Sequence, residues 1–360
     1  MIKVTRTTMP PFEEFCEQIR PLWDSHTLTN MGPQHECFET ALRDWFGCPG
    51  LTLFSHGHLA LEAALRVMNL PAGSRIITTP FTFVSTVHAV ARLGFEPVFC
   101  DVLPSDGTLD PERLEALVDS RTSAVLPVHV YGNVCDVIAI EAVASAHGLR
   151  VIYDAAHAFG VRYNGAPIVC RGDASVLSFH ATKVFSTVEG GAVCWSDPAL
   201  RQALDDEKNF GIRDVQTCAA TGGNAKLDEF RCAMGICNLR HIDEALQARE
   251  RLAGLYRRLL GDSVSFFSLR EGATSNNSYM PVLFEDRRRR DSVSNALESA
   301  GIKPRKYFWP LACDAAPYID IKADVPVARN LADRVLTLPL YPELPEEEVE
   351  RICKLVIACL

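Results

Sequence analysis

The chain has 360 residues, of which 48% are hydrophobic and 22% are charged, a balance that is typical of a globular protein with a large buried core. Its formal net charge of -9 argues against a nucleic-acid partner, and its 13 scattered cysteines contain no Cys-x-x-Cys pair and argue against a disulfide framework. No apolar stretch approaches membrane-spanning length. We therefore expect a cytoplasmic protein with no membrane or nucleic-acid partner.

Short β-branched runs alternate with helical patterns from about residue 50 onwards. The first helix is predicted directly after the turn Ser55-His56-Gly57, because apolar residues recur there at helical spacing (Leu61, Ala64, Leu65 and Met68). Strand-like runs follow at 75–79, 96–102, 123–129, 149–153, 174–179 and 191–195, with helical runs at 83–93, 111–118 and 137–147. This alternation predicts a mostly parallel sheet with helices on both faces, in which ligands bind beyond the carboxyl ends of the strands.

The alternation of strand-like and helical runs ends after Asn224. A long helical region is predicted over 225–260 with a break near His241, followed by strands at 264–267 and 279–284 and by helices at 292–300 and 346–359. The basic run Arg287 to Arg290 lies between acidic residues, which predicts a solvated loop entering a helix. We expect a large domain over 1–245, including the N-terminal segment, and a smaller α+β domain over 246–360.

Two residues suggest chemistry only when they are taken together. Asp154 ends one strand-like run, and Lys183 follows another through small polar residues. A cap or a surface charge would explain either residue alone. Pyridoxal phosphate (PLP) needs a lysine to hold its aldehyde as an imine and an acid to keep its pyridine nitrogen protonated. Ser178 and the backbone turn at Gly57 are suited to the phosphate, because helix N-termini bind anions.

Other residues near the predicted strand ends are candidates for the same crevice. His129 is the last residue of the run 123–129 and is expected to contact substrate. Either Phe81 or Phe83 could stack on a cofactor ring, although both could equally belong to the core. The spacing of His56 and His58 suggests a metal, but the sequence offers no partner motif at ligand spacing, so no metal site is predicted.

Several motifs together resemble the DegT/DnrJ/EryC1/StrS family of PLP-dependent sugar aminotransferases, which have the fold-type I architecture. The resemblance covers about residues 30 to 340, and its most specific segments are 80–86 (PFTFVST), 127–132 (PVHVYG), 154–158 (DAAHA), 178–183 (SFHATK) and 224–229 (NAKLDE).

The resemblance implies a role for each matched cofactor residue. Lys183 is the Schiff-base lysine and general base, Asp154 pairs with the pyridine nitrogen, and His157 stands near the phenolic oxygen. The aromatic residue that stacks on the ring is Phe83. Phosphate is bound by Ser178 and by the turn Gly57, His58 and Leu59. His58 departs from the usual threonine of this turn, so a hydroxyl contact is lost while the backbone contacts can remain.

The resemblance also implies partners and substrates. Asn224 reaches the phosphate in the other subunit's site, which implies a homodimer with shared active sites, and Tyr307 contacts a nucleotide-sugar. The segments that contain His180 and Glu189 are similar to those of members that aminate C4 of a nucleotide-linked 4-keto-6-deoxyhexose, with dTDP as the expected nucleotide and L-glutamate as the donor. We therefore expect His129, His180, Glu189 and Tyr307 to bind substrate.

Four other kinds of protein would require different residues at these positions. Amination at C3 tends to accompany a tyrosine in place of His180. Relatives that dehydrate deoxysugars have histidine in place of Lys183. A non-catalytic regulatory protein on the same fold would need an added DNA-binding module, and the N-terminal thirty or so residues are too few and not basic. A Rossmann dehydrogenase would need Gly-x-Gly-x-x-Gly after its first strand, which the 55–62 turn lacks. The C3 enzyme and the regulatory protein remain the alternatives to C4 amination.

Overall fold

The computed structural model describes all residues from 1 to 360. Its strands are β1 (Ile2–Lys3), β2 (Gly50–Phe54), β3 (Arg75–Thr78), β4 (Glu96–Phe99), β5 (Thr122–Leu126), β6 (Arg150–Asp154), β7 (Arg162–Tyr163), β8 (Ala166–Pro167), β9 (Ala174–Ser178), β10 (Gly191–Trp195), β11 (Ser265–Phe266), β12 (Met280–Leu283), β13 (Ile302–Lys303) and β14 (Val335–Leu338). Its α-helices are α1 (Phe12–Ile19), α2 (Pro21–Ser25), α3 (Pro33–Phe46), α4 (Gly57–Val67), α5 (Val84–Arg92), α6 (Pro111–Glu115), α7 (Val137–His147), α8 (Leu200–Lys208), α9 (Glu229–Arg240), α10 (Ile242–Leu260), α11 (Arg287–Ser299), α12 (Pro326–Arg334) and α13 (Glu346–Ala358).

A seven-stranded sheet forms the centre of the molecule, in the order β2-β10-β9-β6-β5-β3-β4. All neighbouring strands run parallel except β10, which is antiparallel to both β2 and β9. The predicted mostly parallel sheet is therefore confirmed. Each strand and helix predicted before residue 200 is present, with ends shifted by a few residues. The elements of this part that were not predicted are β1, β2, β7, β8, α1, α2 and α3.

Both faces of this sheet are buried, which explains why its strands are nearly continuous apolar runs. Successive side chains of a strand point to opposite faces. Val151 and Tyr153 of β6 accordingly join the cluster under α3, α7 and α9, while Ile152 joins the cluster under α4, α5 and α8. The resulting three-layer arrangement holds the carboxyl ends of β6 and β9 at one rigid edge.

The C-terminal part has a sheet of its own, in the order β11-β12-β14, with a separate apolar cluster that extends from Leu252 to Val356. The predicted break near His241 is confirmed, because α9 ends at Arg240 and α10 begins at Ile242. The domain division at residue 245 stays a prediction, and it falls inside α10. Strand β1 pairs in parallel with β13, so the first residues of the chain lie against the C-terminal part.

The predicted loop at the arginine run is wrong, because these residues form the first turn of α11. Asp286 caps the helix by accepting a hydrogen bond from the backbone N–H of Arg289. Arg290 is fully buried, donates to the carbonyl of Ala332, and lies 2.6 Å from Asp291. A paired arginine can thus be a core residue, which a pattern of charges alone does not reveal. Every helix of the fold lacks the length or the apolar character that a bilayer crossing requires.

Candidate active site

A cavity of about 500 Å³ opens at the carboxyl edge of the central sheet, between the ends of β6 and β9 and the starts of α4 and α5. Its size lies in the ordinary range for small-molecule sites. The structure brings most of the predicted site residues to its wall, namely Gly57, His58, Phe83, Asp154, His157, Ser178, His180, Lys183, Glu189 and Tyr307.

Asp154 is the last residue of β6, and its side chain is nearly buried at this edge. One carboxylate oxygen accepts a hydrogen bond of 2.7 Å from the hydroxyl of Thr86, and the other accepts one of 3.0 Å from the backbone N–H of Ala156. Both contacts fix the orientation of the carboxylate. Each oxygen retains acceptor capacity for a further donor in the cavity.

Lys183 lies on the cavity wall in the segment after β9. Burial lowers the pKa of its amino group from 10.5 to about 8, although the charges of Asp154 and Tyr307 partly oppose this change. A substantial fraction of the amine is therefore neutral in mildly alkaline solution. A neutral amine can act as a nucleophile or as a base, whereas a surface lysine would remain protonated.

His157 lies in the turn after β6, and its ring is buried against the cavity. Burial holds the pKa of His157 well below its ordinary value of 6.5, and the nearby charge of Lys183 acts in the same direction. The imidazole is therefore neutral. Its Nδ1 accepts a hydrogen bond of 3.0 Å from the backbone N–H of Tyr131, so the proton resides on Nε2. That nitrogen can donate a hydrogen bond to an oxygen in the cavity.

A close approach between α4 and β9 shapes the end of the cavity where an anion would bind. A Cβ atom on Gly57 would lie 2.7 Å from Cβ of Ser178, so only glycine fits at the first residue of α4. Ser178 Oγ accepts only a long contact of 3.5 Å from the backbone N–H of His180, which leaves the hydroxyl proton free to donate. Helix N–H groups and a hydroxyl together suit a phosphate.

His58 takes part in a network instead of supplying the hydroxyl of the usual threonine. Its Nδ1 lies 2.8 Å from Ser85 Oγ, and its Nε2 lies 3.2 Å from Glu62, which also accepts a hydrogen bond of 2.5 Å from Arg92. Both His58 and Ser85 line the cavity. Ser85 therefore places a hydroxyl on the same wall.

The two phenylalanines that the sequence could not separate have different environments. Phe81 is fully buried among the aromatic side chains of Tyr131, Phe267 and Phe308. The side chain of Phe83 is 58% exposed and lines the cavity. An apolar ring left open to a cavity is suited to stacking on a planar ligand. Phe83 is therefore the candidate for the stacking residue.

Three predicted substrate residues, His180, Glu189 and Tyr307, line the cavity. Glu189 lies between two imidazoles, 3.2 Å from Nδ1 of His56 and 3.6 Å from Nε2 of His180. The backbone carbonyl of Tyr307 accepts a hydrogen bond from the hydroxyl of Tyr131, which anchors the loop that contains it. These side chains lie on the cavity wall and can contact a polar substrate.

Three other predicted residues lie outside the lining. His129 is fully buried, stacks on Tyr153 with a centroid distance of 4.8 Å, and accepts a hydrogen bond at Nδ1 from the backbone N–H of Cys135. This position gives it a packing role and does not support the expected substrate contact. Leu59 packs its side chain on the core below α4. Asn224 is exposed, and its side-chain oxygen accepts a hydrogen bond of 3.1 Å from Lys226.

Several wall residues were given no role in the sequence analysis. Thr86 holds Asp154 and lies inside the recognised 80–86 segment, so a signal for it was available. Tyr279 precedes β12 in the C-terminal part, and burial raises the pKa of its hydroxyl to about 12. Arg305 and Thr182 also line the cavity. The pattern around Tyr279 is an ordinary strand pattern, so no sequence signal distinguished this residue.

The observed donor set fits PLP. An oriented carboxylate, a buried lysine of lowered pKa, an exposed aromatic wall at Phe83 and a glycine-lined helix N-terminus surround one cavity. These are the groups that a pyridine nitrogen, an aldehyde, a planar ring and a phosphate require. The fold and the site together define a PLP-dependent enzyme.

Comparison with known proteins gives the family. The DegT/DnrJ/EryC1/StrS aminotransferase family matches residues 12–357. The chain belongs to this family. The dTDP-4-amino-4,6-dideoxy-D-glucose transaminase of Shigella dysenteriae is 38% identical over 357 residues, covering 98% of this chain and 97% of the relative. The Escherichia coli enzyme of the same name is 36% identical over 367 residues, covering 99% and 98%.

The fold has equally extensive counterparts among solved structures. The crystal structure of DesI in the presence of its TDP-sugar product aligns with a TM-score of 0.94 and 32% sequence identity, covering 99% of this chain and 92% of that chain. The Helicobacter pylori protein PseC, an aminotransferase involved in the biosynthesis of pseudoaminic acid, aligns with a TM-score of 0.93 and 25% identity, covering 99% and 98%. The chain is thus a PLP-dependent aminotransferase with the fold of sugar aminotransferases.

Proposed function

We propose that this aminotransferase moves an amino group from L-glutamate to C4 of dTDP-4-keto-6-deoxyglucose, giving a 4-amino-4,6-dideoxy sugar nucleotide. The observation that carries the proposal is the pairing of Lys183 and Asp154 across one cavity, within a chain that is 38% and 36% identical to two transaminases named for this product. The histidines His56 and His180 and the carboxylate of Glu189 on the cavity wall offer polar contacts to a sugar.

Lys183 is the group that moves protons. Its lowered pKa leaves enough neutral amine that Lys183 would hold the aldehyde of PLP and, when free, would take a proton from the α-carbon of the amino donor. The same amine returns a proton when the keto-sugar is aminated. PLP, when bound, supplies an electron sink for the carbanion that each proton removal generates.

Asp154 and His157 set the electrostatics around these proton transfers. The hydroxyl of Thr86 and the N–H of Ala156 hold the Asp154 carboxylate in position to pair with a protonated pyridine nitrogen. Because His157 is neutral and its Nδ1 already accepts from Tyr131, its Nε2–H is the available donor for the phenolic oxygen. These fixed groups favour charge development without reorganisation.

We further propose a homodimer in which Asn224 binds the cofactor phosphate of the partner subunit. Asn224 is exposed and lies outside the cavity of its own chain. The neighbouring segment 210–218 also exposes apolar side chains, including Val215, which is an arrangement suited to a contact with a second copy. A C2 interface would repeat the contact in both sites.

The function is tested by incubating the purified holoenzyme with L-glutamate and a panel of dTDP-, GDP- and UDP-linked keto-sugars, and by locating the new amine by mass spectrometry and NMR. Amination at C4 of the dTDP-linked 4-keto-6-deoxy sugar is the expected result. Amination at C3 would refute the carbon assignment. A protein that binds PLP but aminates none of these sugars would favour the regulatory alternative.

A Lys183→Ala variant provides the matched test of the mechanism. It should lose the visible absorbance of lysine-linked PLP together with turnover, since no other amine can replace it at this position. A Lys354→Ala variant, altered at an exposed lysine of α13 remote from the cavity, serves as the control and should keep both. Full turnover by Lys183→Ala would contradict the assignment.

A further inference from the structure

A polar network joins α4 to α5 at the cavity wall, and no step of the proposed reaction uses it. Nδ1 of His58 lies 2.8 Å from Oγ of Ser85, and Nε2 of His58 lies 3.2 Å from a carboxylate oxygen of Glu62. Glu62 is nearly buried and accepts a hydrogen bond of 2.5 Å from Arg92. The network thus leads from a hydroxyl on the cavity wall, through an imidazole, to a buried carboxylate.

The network lies beside the end of the cavity that suits a phosphate. His58 directly follows Gly57, the residue that packs closely against Ser178. His58 is the second residue of α4, Ser85 is the second residue of α5, and both line the cavity. Two helix N-termini, each with a positive partial charge, therefore meet where these two side chains touch.

The direction of the hydrogen bond between His58 and Ser85 depends on the protonation state of the imidazole. A carboxylate only accepts hydrogen bonds, so Glu62 favours the tautomer of a neutral His58 that carries its proton on Nε2. Nδ1 is then an acceptor, and the hydroxyl of Ser85 donates to it. In this state Ser85 can offer only lone pairs to the cavity, and these would repel a phosphate oxygen.

Protonation of His58 reverses this hydrogen bond. An imidazolium donates from both ring nitrogens, here to Glu62 from Nε2 and to Ser85 from Nδ1. The hydroxyl proton of Ser85 is then free to donate to an anion, and the imidazolium adds a positive charge beside it. A phosphate therefore favours the protonated network, and its binding should be accompanied by proton uptake.

The groups around His58 leave Glu62 as its carboxylate partner in both protonation states. Burial and the charges of His58 and Arg92 lower the pKa of His88 on α5, so this second histidine does not compete for Glu62. The strands β2, β9 and β10, which also pack against α4, carry no charged side chain. Charged groups on the other neighbouring elements are Glu207 of α8, which pairs with Arg66, and Asp154 of β6.

We propose that Ser85 binds the phosphate of the cofactor and that His58 is the positioning residue that turns the Ser85 hydroxyl towards it. The inference deepens the proposed phosphate site at Gly57 and Ser178, and it does not depend on which sugar is aminated. The pair supplies a hydroxyl in place of the one that a threonine at position 58 would carry. Phosphate binding is thereby linked to the uptake of a proton by His58.

Calorimetric titration of the full-length, cofactor-free chain with pyridoxamine 5'-phosphate tests the contact. This probe carries the phosphate but no aldehyde, so it cannot form an imine with Lys183. Ser85→Ala should weaken its binding about tenfold, because one hydrogen bond to a charged group is lost. Pyridoxamine, which has no phosphate, should bind equally to Ser85→Ala and to the wild type. Ser145→Ala, altered at an exposed serine of α7, is the matched control and should bind both probes like the wild type.

Proton counting tests the role of His58. Titration in two buffers of different ionisation enthalpy gives the number of protons that are taken up with pyridoxamine 5'-phosphate. His58→Thr provides its own hydroxyl, so it should keep most of the affinity for the probe but should take up fewer protons than the wild type. Between pH 6 and pH 8.5, the range in which histidines titrate, the affinity of the wild type should decrease about tenfold relative to that of His58→Thr.

The results that would overturn the proposal differ from those that would refute the proposed reaction. Full affinity of Ser85→Ala for pyridoxamine 5'-phosphate would overturn the contact, and so would an equal loss of affinity for pyridoxamine, which would show a disturbed cavity. Equal proton uptake by His58→Thr and the wild type would overturn the role of His58. Amination of the sugar at a carbon other than C4 would refute the proposed reaction while these binding results still stood.

Discussion

Replacement of Lys183 by methionine should stabilise the cofactor-free protein at neutral pH. Burial lowers the pKa of the amine from 10.5 to about 8, which means that the fold disfavours the protonated lysine. The difference corresponds to about 3 kcal/mol. Methionine has a similar length and no charge, so this cost is absent from the variant.

The stability advantage of Lys183→Met should decrease as the pH rises. Since the folded-state pKa is depressed, the destabilisation is fully present below about pH 8 and is lost as the pH rises through 10.5, where the unfolded lysine also becomes neutral. The advantage of Lys183→Met should therefore be about 3 kcal/mol at pH 7, about 2 kcal/mol at pH 9 and close to zero above the ordinary pKa of lysine.

Urea denaturation of the PLP-free proteins at several pH values measures this difference. Lys354→Met is the matched control, because Lys354 is exposed on α13 and should show no pH-dependent gain. The reasoning fails if Lys183→Met is no more stable than the wild type at pH 7. It also fails if the advantage of the variant grows as the pH is raised.

Three further predictions concern the cofactor site and the core. Asp154→Asn should slow the half-reaction with L-glutamate by about a hundredfold or more while PLP remains bound, because the amide cannot stabilise a protonated pyridine nitrogen. Stopped-flow measurements test this, and an unchanged rate would exclude the role of Asp154. Gly57→Ala should weaken PLP binding about tenfold or more in fluorescence titrations, because its Cβ would lie 2.7 Å from that of Ser178, and an equal affinity would contradict the close-approach argument. Arg290→Ala should lower the free energy of unfolding by about 3 kcal/mol, because it removes a fully buried cation paired with Asp291. A change below about 1 kcal/mol in the free energy of unfolding would show that the pair contributes little.

Local pattern predicted six of the seven strands of the large sheet and the pair Asp154 and Lys183. Alternating apolar runs and helical spacings predicted the parallel strands, because a strand buried on both faces must be apolar throughout its length. Asp154 and Lys183 followed two such runs, and the carboxyl ends of parallel strands meet at one edge. The sequence by itself therefore predicted the cofactor, and it indicated Asp154 and Lys183 as the pair proposed to hold it.

In contrast, tertiary packing decided whether an individual side chain is buried in the core or lines the cavity. Phe81 and Phe83 have the same chemistry and lie two positions apart, yet one is enclosed by aromatic side chains and the other lines the cavity. His129 follows a strand end as expected, but stacking on Tyr153 places it in the core. Arg290 is a core residue within a run of arginines.

The contacts that the sequence could not supply join residues distant along the chain. Thr86 orients Asp154 across 68 positions, and Lys3 meets Lys303 only because β1 pairs with β13. Periodicity reports which face of an element is buried, but it carries no information about which distant element covers that face. The sequence predicted most elements of the large sheet and the proposed reactive pair, and the tertiary structure alone decided which side chains open to the cavity and which distant residues, such as Lys3 and Lys303, lie opposite each other.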